Sequence, residues 1–149
     1  MSTAVKTVLV LCTGNSARSI MAEALINHLG EGRWQAVSAG SHPTGVVNPF
    51  ALQALAEAGI PSPPDARSKS WQEFAEVASA PIDLVITVCN NAANETCPRF
   101  PGPARVVHLP FDDPASAQGT ELEKLDAFRM VLRKMAEQLP RLLASSCAS

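Results

Sequence analysis

The chain predicts an α/β fold: a four-stranded parallel sheet with helices on both faces. Two observations predict it. Short apolar, β-branched runs alternate with amphipathic helical stretches along the chain, and the apolar runs read as buried strands of a sheet covered on both faces. A third observation, taken up below, is that the chemically distinctive residues cluster just after strand candidates, where open parallel sheets bind ligands. With 149 residues, 46% hydrophobic and 17% charged, the chain has enough material for one packed domain. We assign residues 1–144 to that single domain and 145–149 to a frayed tail.

Taken in order, KTVLVL at 6–11 is a buried strand. Residues 12–18 are small and polar, hence a loop. From Ser19 the spacing of Ile20, Met21, Ala24, Leu25 and Leu29 gives one apolar helix face, closed by Gly30. WQAVS at 34–38 is a second strand. Asn48 caps a helix with Pro49 at its first position; Leu52, Leu55 and Ala56 face inward and Gly59 stops it. Ser70 with Glu73 forms a capping-box pattern for a short helix to Val77. IDLVITV at 82–88 is the clearest strand, and RVVHL at 105–109 is the fourth. Thr120 with Glu123 is another capping box, opening a long helix that Pro140 is expected to kink or interrupt. The predicted order is β-α-β-α-α-β-β-α.

Composition excludes several function classes. A net charge of -2 supplies no field for nucleic acid or an anionic membrane. No apolar run approaches the length of a membrane span, and the N-terminus lacks the regions of a signal peptide. We expect a cytoplasmic protein, monomeric, with neither nucleic-acid nor membrane partners. In such a compartment Cys12, Cys89, Cys97 and Cys147 are not structural disulfides. No C-x-x-C pair occurs, and His28, His42 and His108 are not spaced as zinc ligands, so no metal site is expected.

The loop after the first strand carries the chemistry. CTGNSARS at 12–19 sets a cysteine and an arginine with five residues between them in front of a helix. Gly14 lets the backbone turn tightly. The N–H groups of Thr13, Gly14, Asn15, Ser16, Ala17 and Arg18 can form a concave anion nest, and the helix adds its positive end. Arg18 brings a planar fork matched to two oxygens of a tetrahedral oxyanion. These surroundings favour the Cys12 thiolate. Ser19 can donate to it, and Asn15 can brace the loop. Alone, a cysteine and arginine at this spacing say little; a buried strand before and a helix after give them meaning. No Gly-Lys-Ser/Thr follows, so this is not a nucleotide-binding phosphate loop.

With these residues in view, the chain resembles the low-molecular-weight protein tyrosine phosphatases, and more closely the arsenate reductases that share their fold. The resemblance rests on CTGNSARSIMAEAL from Cys12, SAG at 38–40, VNPFALQALAEAGI at 47–60, ITVCNNAANETCP at 86–98 and FDDPA at 111–115. It implies that Cys12 is the nucleophile, Arg18 the oxyanion-binding arginine, Ser19 the helper hydroxyl and Asp113 the general acid, with Asp112 a turn residue and fallback. It also implies that Cys89 and Cys97 relay electrons. Arsenate is attacked by Cys12, Cys89 displaces arsenite, and Cys97 moves the disulfide to Cys89–Cys97 for an external thiol reductant, thioredoxin or another. The spacer from Asn90 to Thr96 is one residue longer than in the thioredoxin-coupled members. Some members bind potassium at positions matching Asn15, Glu23 and Ser38; Lys69 stands where the last carboxylate ligand would be, so no potassium site and no resident cofactor are expected.

Two other functions fit parts of the pattern. A tyrosine phosphatase needs only Cys12, Arg18 and Asp113, but the chain has no tyrosine to line a phenol-binding wall after Pro114. A non-catalytic oxyanion- or arsenite-binding protein would use the thiols as chelators. We assign His28 to solvent, His42 to loop filler, and His108, Trp34 and Trp71 to structure. Glu121, Glu123, Lys124 and Asp126 form a solvated helix face, and Cys147 has no assigned role.

Overall fold

The computed structural model describes residues 6–12, 17–30, 33–40, 42–61, 70–71, 82–88, 105–109, 111, 114 and 117–147, with side chains to residue 144. Four strands, β1 (Lys6–Leu11), β2 (Trp34–Ala39), β3 (Leu84–Thr87) and β4 (Arg105–His108), form one sheet in the order β2-β1-β3-β4. Every pairing is parallel, as the alternation of strands and helices predicts. Three helices are described: α1 (Arg18–Leu29), α2 (Pro49–Glu57) and α3 (Glu121–Cys147).

β1 is central, and its alternate side chains feed two cores. Val8, Val10 and Cys12 join Leu84, Ile86 and Val88 under the three helices. Leu9 and Leu11 join Ala39, Ile82, Val85 and Trp71 on the opposite face. Both sides of β1 are therefore dry, which is why its sequence is a continuous apolar run. The expected second-face helix after Ser70 lies outside the described residues. Ser70 itself is in an isolated parallel bridge with Gly40, and Trp71 N–H donates to the Gly40 carbonyl at 3.0 Å. β4 departs from the expectation of a fully covered sheet: Arg105, Val106 and His108 are exposed, Val106 at 59%. It is one of the two edge strands, with β3 as its neighbour among the described residues.

The helices follow their signals with several corrections. α1 begins at Arg18, one residue before the predicted start. It is buried on all sides from Ser19 to Ile26, because it lies between β1 and β2 below and α2 and α3 beside it. Its one-sided stripe is thus an understatement, and Leu29, assigned to that stripe, is exposed at the frayed end. Gly30 does end the helix, but in right-handed geometry; a Cβ there would come 2.6 Å from the Trp34 carbonyl oxygen. Close approach of β2, rather than backbone freedom, requires glycine.

In α2, Asn48 Oδ1 accepts from Phe50 N–H at 2.9 Å and Gly59 stops the helix at φ 75°. The buried positions are Ala51, Ala54 and Leu55, while Ala56 is exposed. The buried face is therefore shifted by one residue toward the N-terminus, a rotation of about 100°. Pro140 does not interrupt α3, which runs through it. Proline removes one helical hydrogen bond, but Leu139 and Leu143 on either side are buried, and their packing keeps the helix continuous through the gap. Helical backbone extends to Cys147, past Ala144 where the packed domain was expected to end. No helix among the described residues is long and apolar enough to cross a membrane.

Candidate active site

The strand ends that face one rim of the sheet carry the candidate residues. β1 ends at Leu11, and Cys12 follows, its sulfur side buried at 5% exposure. Cys12 N–H donates to the Ala39 carbonyl at 3.2 Å, so β2 fixes the backbone of the nucleophile. Across β1, Val88 N–H donates to the Leu11 carbonyl at 2.9 Å. Cys12 therefore leaves the sheet from its most constrained point.

α1 starts at Arg18, and its N-terminus differs from those of the other two helices. Asn48 caps α2. Thr120 and Glu123 cap α3 reciprocally, with Glu123 N–H to Thr120 Oγ1 at 3.2 Å and Thr120 N–H to Glu123 Oε1 at 3.3 Å. α1 has no side-chain cap and no acidic residue in its first turn. The positive end of this helix favours an anion beside it. An uncapped helix start directly after a cysteine-bearing loop suits a negatively charged ligand or thiolate.

Arg18 Nη1 donates to the Phe111 carbonyl at 3.1 Å. Phe111 N–H in turn donates to the Val88 carbonyl at 2.9 Å. One buried residue thus links the guanidinium to the end of β3. Phe111 immediately precedes Asp112 and Asp113, and Val88 immediately precedes Cys89. Sequence reasoning missed Phe111, since a backbone carbonyl leaves no trace in residue type. Ser19 is completely buried beside this start. Below it, Ser38 Oγ on β2 donates to Glu23 Oε1 on α1, and both are buried.

Of the residues assigned from sequence, Cys12, Ala17, Arg18 and Ser19 are among those described: Cys12 directly follows β1, and Ala17, Arg18 and Ser19 open α1. Thr13, Gly14, Asn15, Ser16, Cys89, Cys97 and Asp113 lie outside the described residues, as do Asp112, Lys69 and the side chain of Cys147. Among the described residues no group of His, Cys, Asp and Glu is arranged to hold a metal ion. His28 and His42 are exposed. Trp34 and Trp71 are buried, Trp34 with the Lys6 ammonium 5.6 Å from its ring centre.

A parallel sheet of this order, with a cysteine ending its central strand and an arginine opening an uncapped helix, defines an oxyanion-handling enzyme class. The chain belongs to the low molecular weight phosphotyrosine protein phosphatase family, whose model matches residues 7–146. Within that family its relatives include proteins named arsenate reductase. One from Bacillus licheniformis is 42% identical over 91% of this chain and 94% of the relative. Among solved structures, arsenate reductase from Archaeoglobus fulgidus aligns with TM-score 0.70 at 28% identity, covering 92% of this chain and 98% of that one. A thioredoxin-dependent arsenate reductase from Corynebacterium glutamicum aligns with TM-score 0.69 at 25% identity, over 99% of this chain and 65% of that one.

Proposed function

We propose that this chain is an arsenate reductase that forms a thiol adduct of arsenate at Cys12 and completes the reduction through Cys89 and Cys97. The observation that carries the reading is the rim geometry. A buried cysteine ends the central strand, an uncapped helix opens at Arg18, and Arg18 is tied to the residue before the Asp-Asp-Pro sequence. The relatives' shared activity supports the choice of arsenate over a phosphate ester.

In this mechanism arsenate sits against the N–H groups of residues 13–18 and the Arg18 fork. Cys12 thiolate attacks arsenic, and Asp113 protonates the departing hydroxyl, with Ser19 donating to the sulfur. Cys89 thiolate then attacks the Cys12 sulfur. The sulfur–arsenic electron pair stays on arsenic, which leaves as arsenite, and a Cys12–Cys89 disulfide remains. Cys97 attacks Cys89, regenerating Cys12 thiolate and leaving Cys89–Cys97 for an external dithiol such as thioredoxin. The electrons come from thiols, so the mechanism calls for no resident cofactor. Lys69 argues against a potassium ion beside Glu23 and Ser38, since an ammonium there would supply the positive charge. A thiol-dependent cycle without membrane or nucleic-acid partners suits a cytoplasmic monomer.

Phosphate ester hydrolysis is the second reading, favoured by the family itself and by the fact that the nest, Arg18 and an acid serve phosphate equally well. Cys97→Ser separates the two. Arsenate turnover with a renewable dithiol should fall to background, while hydrolysis of an aryl phosphate persists. A disulfide map of the wild-type protein after one arsenate turnover should show Cys89–Cys97. Retention of full arsenate turnover by Cys97→Ser would sink the relay.

A further inference from the structure

α2 and α3 meet along an open groove of about 290 Å³. Ala54, Ile60 and Leu132 line it and are buried, which gives it an apolar floor. Three charged residues also line it: Glu57, Arg129 and Arg133. None of these residues belongs to the Cys12 rim.

The polar groups around the groove are unequally committed. Arg129 Nε and Nη2 donate to the two Glu57 carboxylate oxygens, and Nη1 donates to Asp126. The end of α2 is closed by its own backbone, Gly59 and Ile60 N–H donating to the Ala56 and Leu55 carbonyls at 3.1 and 2.9 Å. Arg133, one turn beyond Arg129 on α3, is exposed and has no hydrogen bond or ion pair among the described residues. Its guanidinium presents five N–H donors in a planar fork that matches a carboxylate. One uncommitted cation thus borders an apolar floor. Small-molecule sites combine the same two things, a mostly apolar cleft and a few placed polar groups.

Size and charge decide the kind of occupant. The volume lies at the lower end for ligand pockets, with room for one ring or a short chain. The core of a protein interface is depleted of charged residues. Here Glu57, Arg129 and Arg133 break the apolar surface at the edge of the groove, which suits a small ligand better than a protein face.

We propose that this groove is a second ligand site, taking a small amphipathic carboxylate with its apolar body on the floor and its carboxylate on the Arg133 fork. Burial of the body supplies contact, and Arg133 selects the anion. Glu57 opposes that selection: its carboxylate neutralises Arg129 and repels a second anion. Its removal leaves Arg129 less neutralised on the same rim. The site does not depend on the chemistry assigned to Cys12.

The test is a titration of the full chain by two-dimensional amide NMR with 3-phenylpropionate, using 3-phenylpropionamide as its neutral twin. Saturable shifts should fall on residues 54–60 and 129–136, and the carboxylate should bind more tightly than the amide. Arg133→Gln should weaken carboxylate binding about tenfold, toward the level of the amide. Glu57→Gln should tighten it about twofold or more and leave the amide unchanged. Opposite effects from two exposed residues on one rim are not expected of an apolar crevice or of altered packing. Arsenate turnover, which uses neither residue, should persist in both variants and report an intact fold. Equal binding of the two probes would overturn the proposal, as would an unchanged carboxylate affinity in either variant. Shifts centred on Arg18 instead of the groove would also overturn it, by sending the anion to the rim.

Discussion

α1 and α3 begin in opposite ways. α3 opens with a reciprocal cap between Thr120 and Glu123, and Glu121 and Glu123 in its first turn face its positive end. Its polar side is exposed and its apolar side packs against α1 and α2. α1 opens with Ala17, which supplies no side-chain oxygen, and a cation, Arg18. It is nevertheless the more deeply buried helix. A cap at an N-terminus is typically worth about 1 kcal/mol, so a buried helix that forgoes it and begins with positive charge gives up stability. The difference teaches that α3 closes its start with its own side chains, whereas α1 opens with a cation, Arg18, that is tied across the rim to the Phe111 carbonyl.

The sharpest way to break this comparison is at Arg18. Arg18→Lys keeps the charge and loses the planar fork and the tether to the Phe111 carbonyl. We expect kcat/KM for arsenate to fall by about a hundredfold or more, roughly 3 kcal/mol of transition-state stabilisation. Thermal stability should change little, because Arg18 is not packed in either core. Steady-state kinetics alongside a melting curve would check both. Near-normal turnover in the lysine variant would mean that simple positive charge suffices and that α1's start is not shaped to an oxyanion.

At the start of α3 the prediction reverses. Thr120→Ala removes the oxygen that accepts from Glu123 N–H, and should cost about 1 kcal/mol of unfolding free energy. Activity should be untouched, since this helix start belongs to the frame. Denaturant titration measures the first and arsenate turnover the second. A loss of turnover with no loss of stability would erase the distinction between the two helix starts.

The same contrast explains what was legible in the sequence. The α3 cap is local: Thr120 and Glu123 are three residues apart and their types declare the motif. β1 and β3 declare themselves through β-branched apolar runs, and Asn48-Pro49 through capping chemistry. The loop from Cys12 to Ser19 is legible for a similar reason, as one contiguous stretch. What stays hidden is set by pairs distant in sequence. The Arg18–Phe111 tether runs through a backbone carbonyl. The contact between Thr87 Oγ1 and His108 Nδ1 depends on strand register, which residue types in parallel strands do not encode. Gly30 looks like a left-handed helix stop, and only the nearness of Trp34 reveals its real reason. The persistence of α3 through Pro140 likewise comes from tertiary burial of Leu139 and Leu143.

The smallest expected effect lies where α2 and α3 meet at the surface. Arg129 Nε donates to Glu57 Oε1 at 2.7 Å and Nη2 to Oε2 at 3.0 Å, while Nη1 donates to Asp126 at 2.7 Å. The guanidinium hydrogen bond holds the Glu57 carboxyl below its ordinary pKa, and the two carboxylates raise Arg129 further above its already high value. Arg129 is therefore charged at every accessible pH, and only the acids can titrate the cluster. A carboxyl whose folded-state pKa is depressed contributes stability above its unfolded value and loses it as pH falls through the folded one. The contribution is thus full at neutral pH and disappears on acidification below the ordinary carboxylate range. Water and salt screen groups this exposed, so Glu57→Gln should lower the melting temperature only slightly at neutral pH and not at all in strong acid, with arsenate turnover unchanged. A large drop that persists in acid would mean that Glu57 acts through packing between α2 and α3 rather than through its charge.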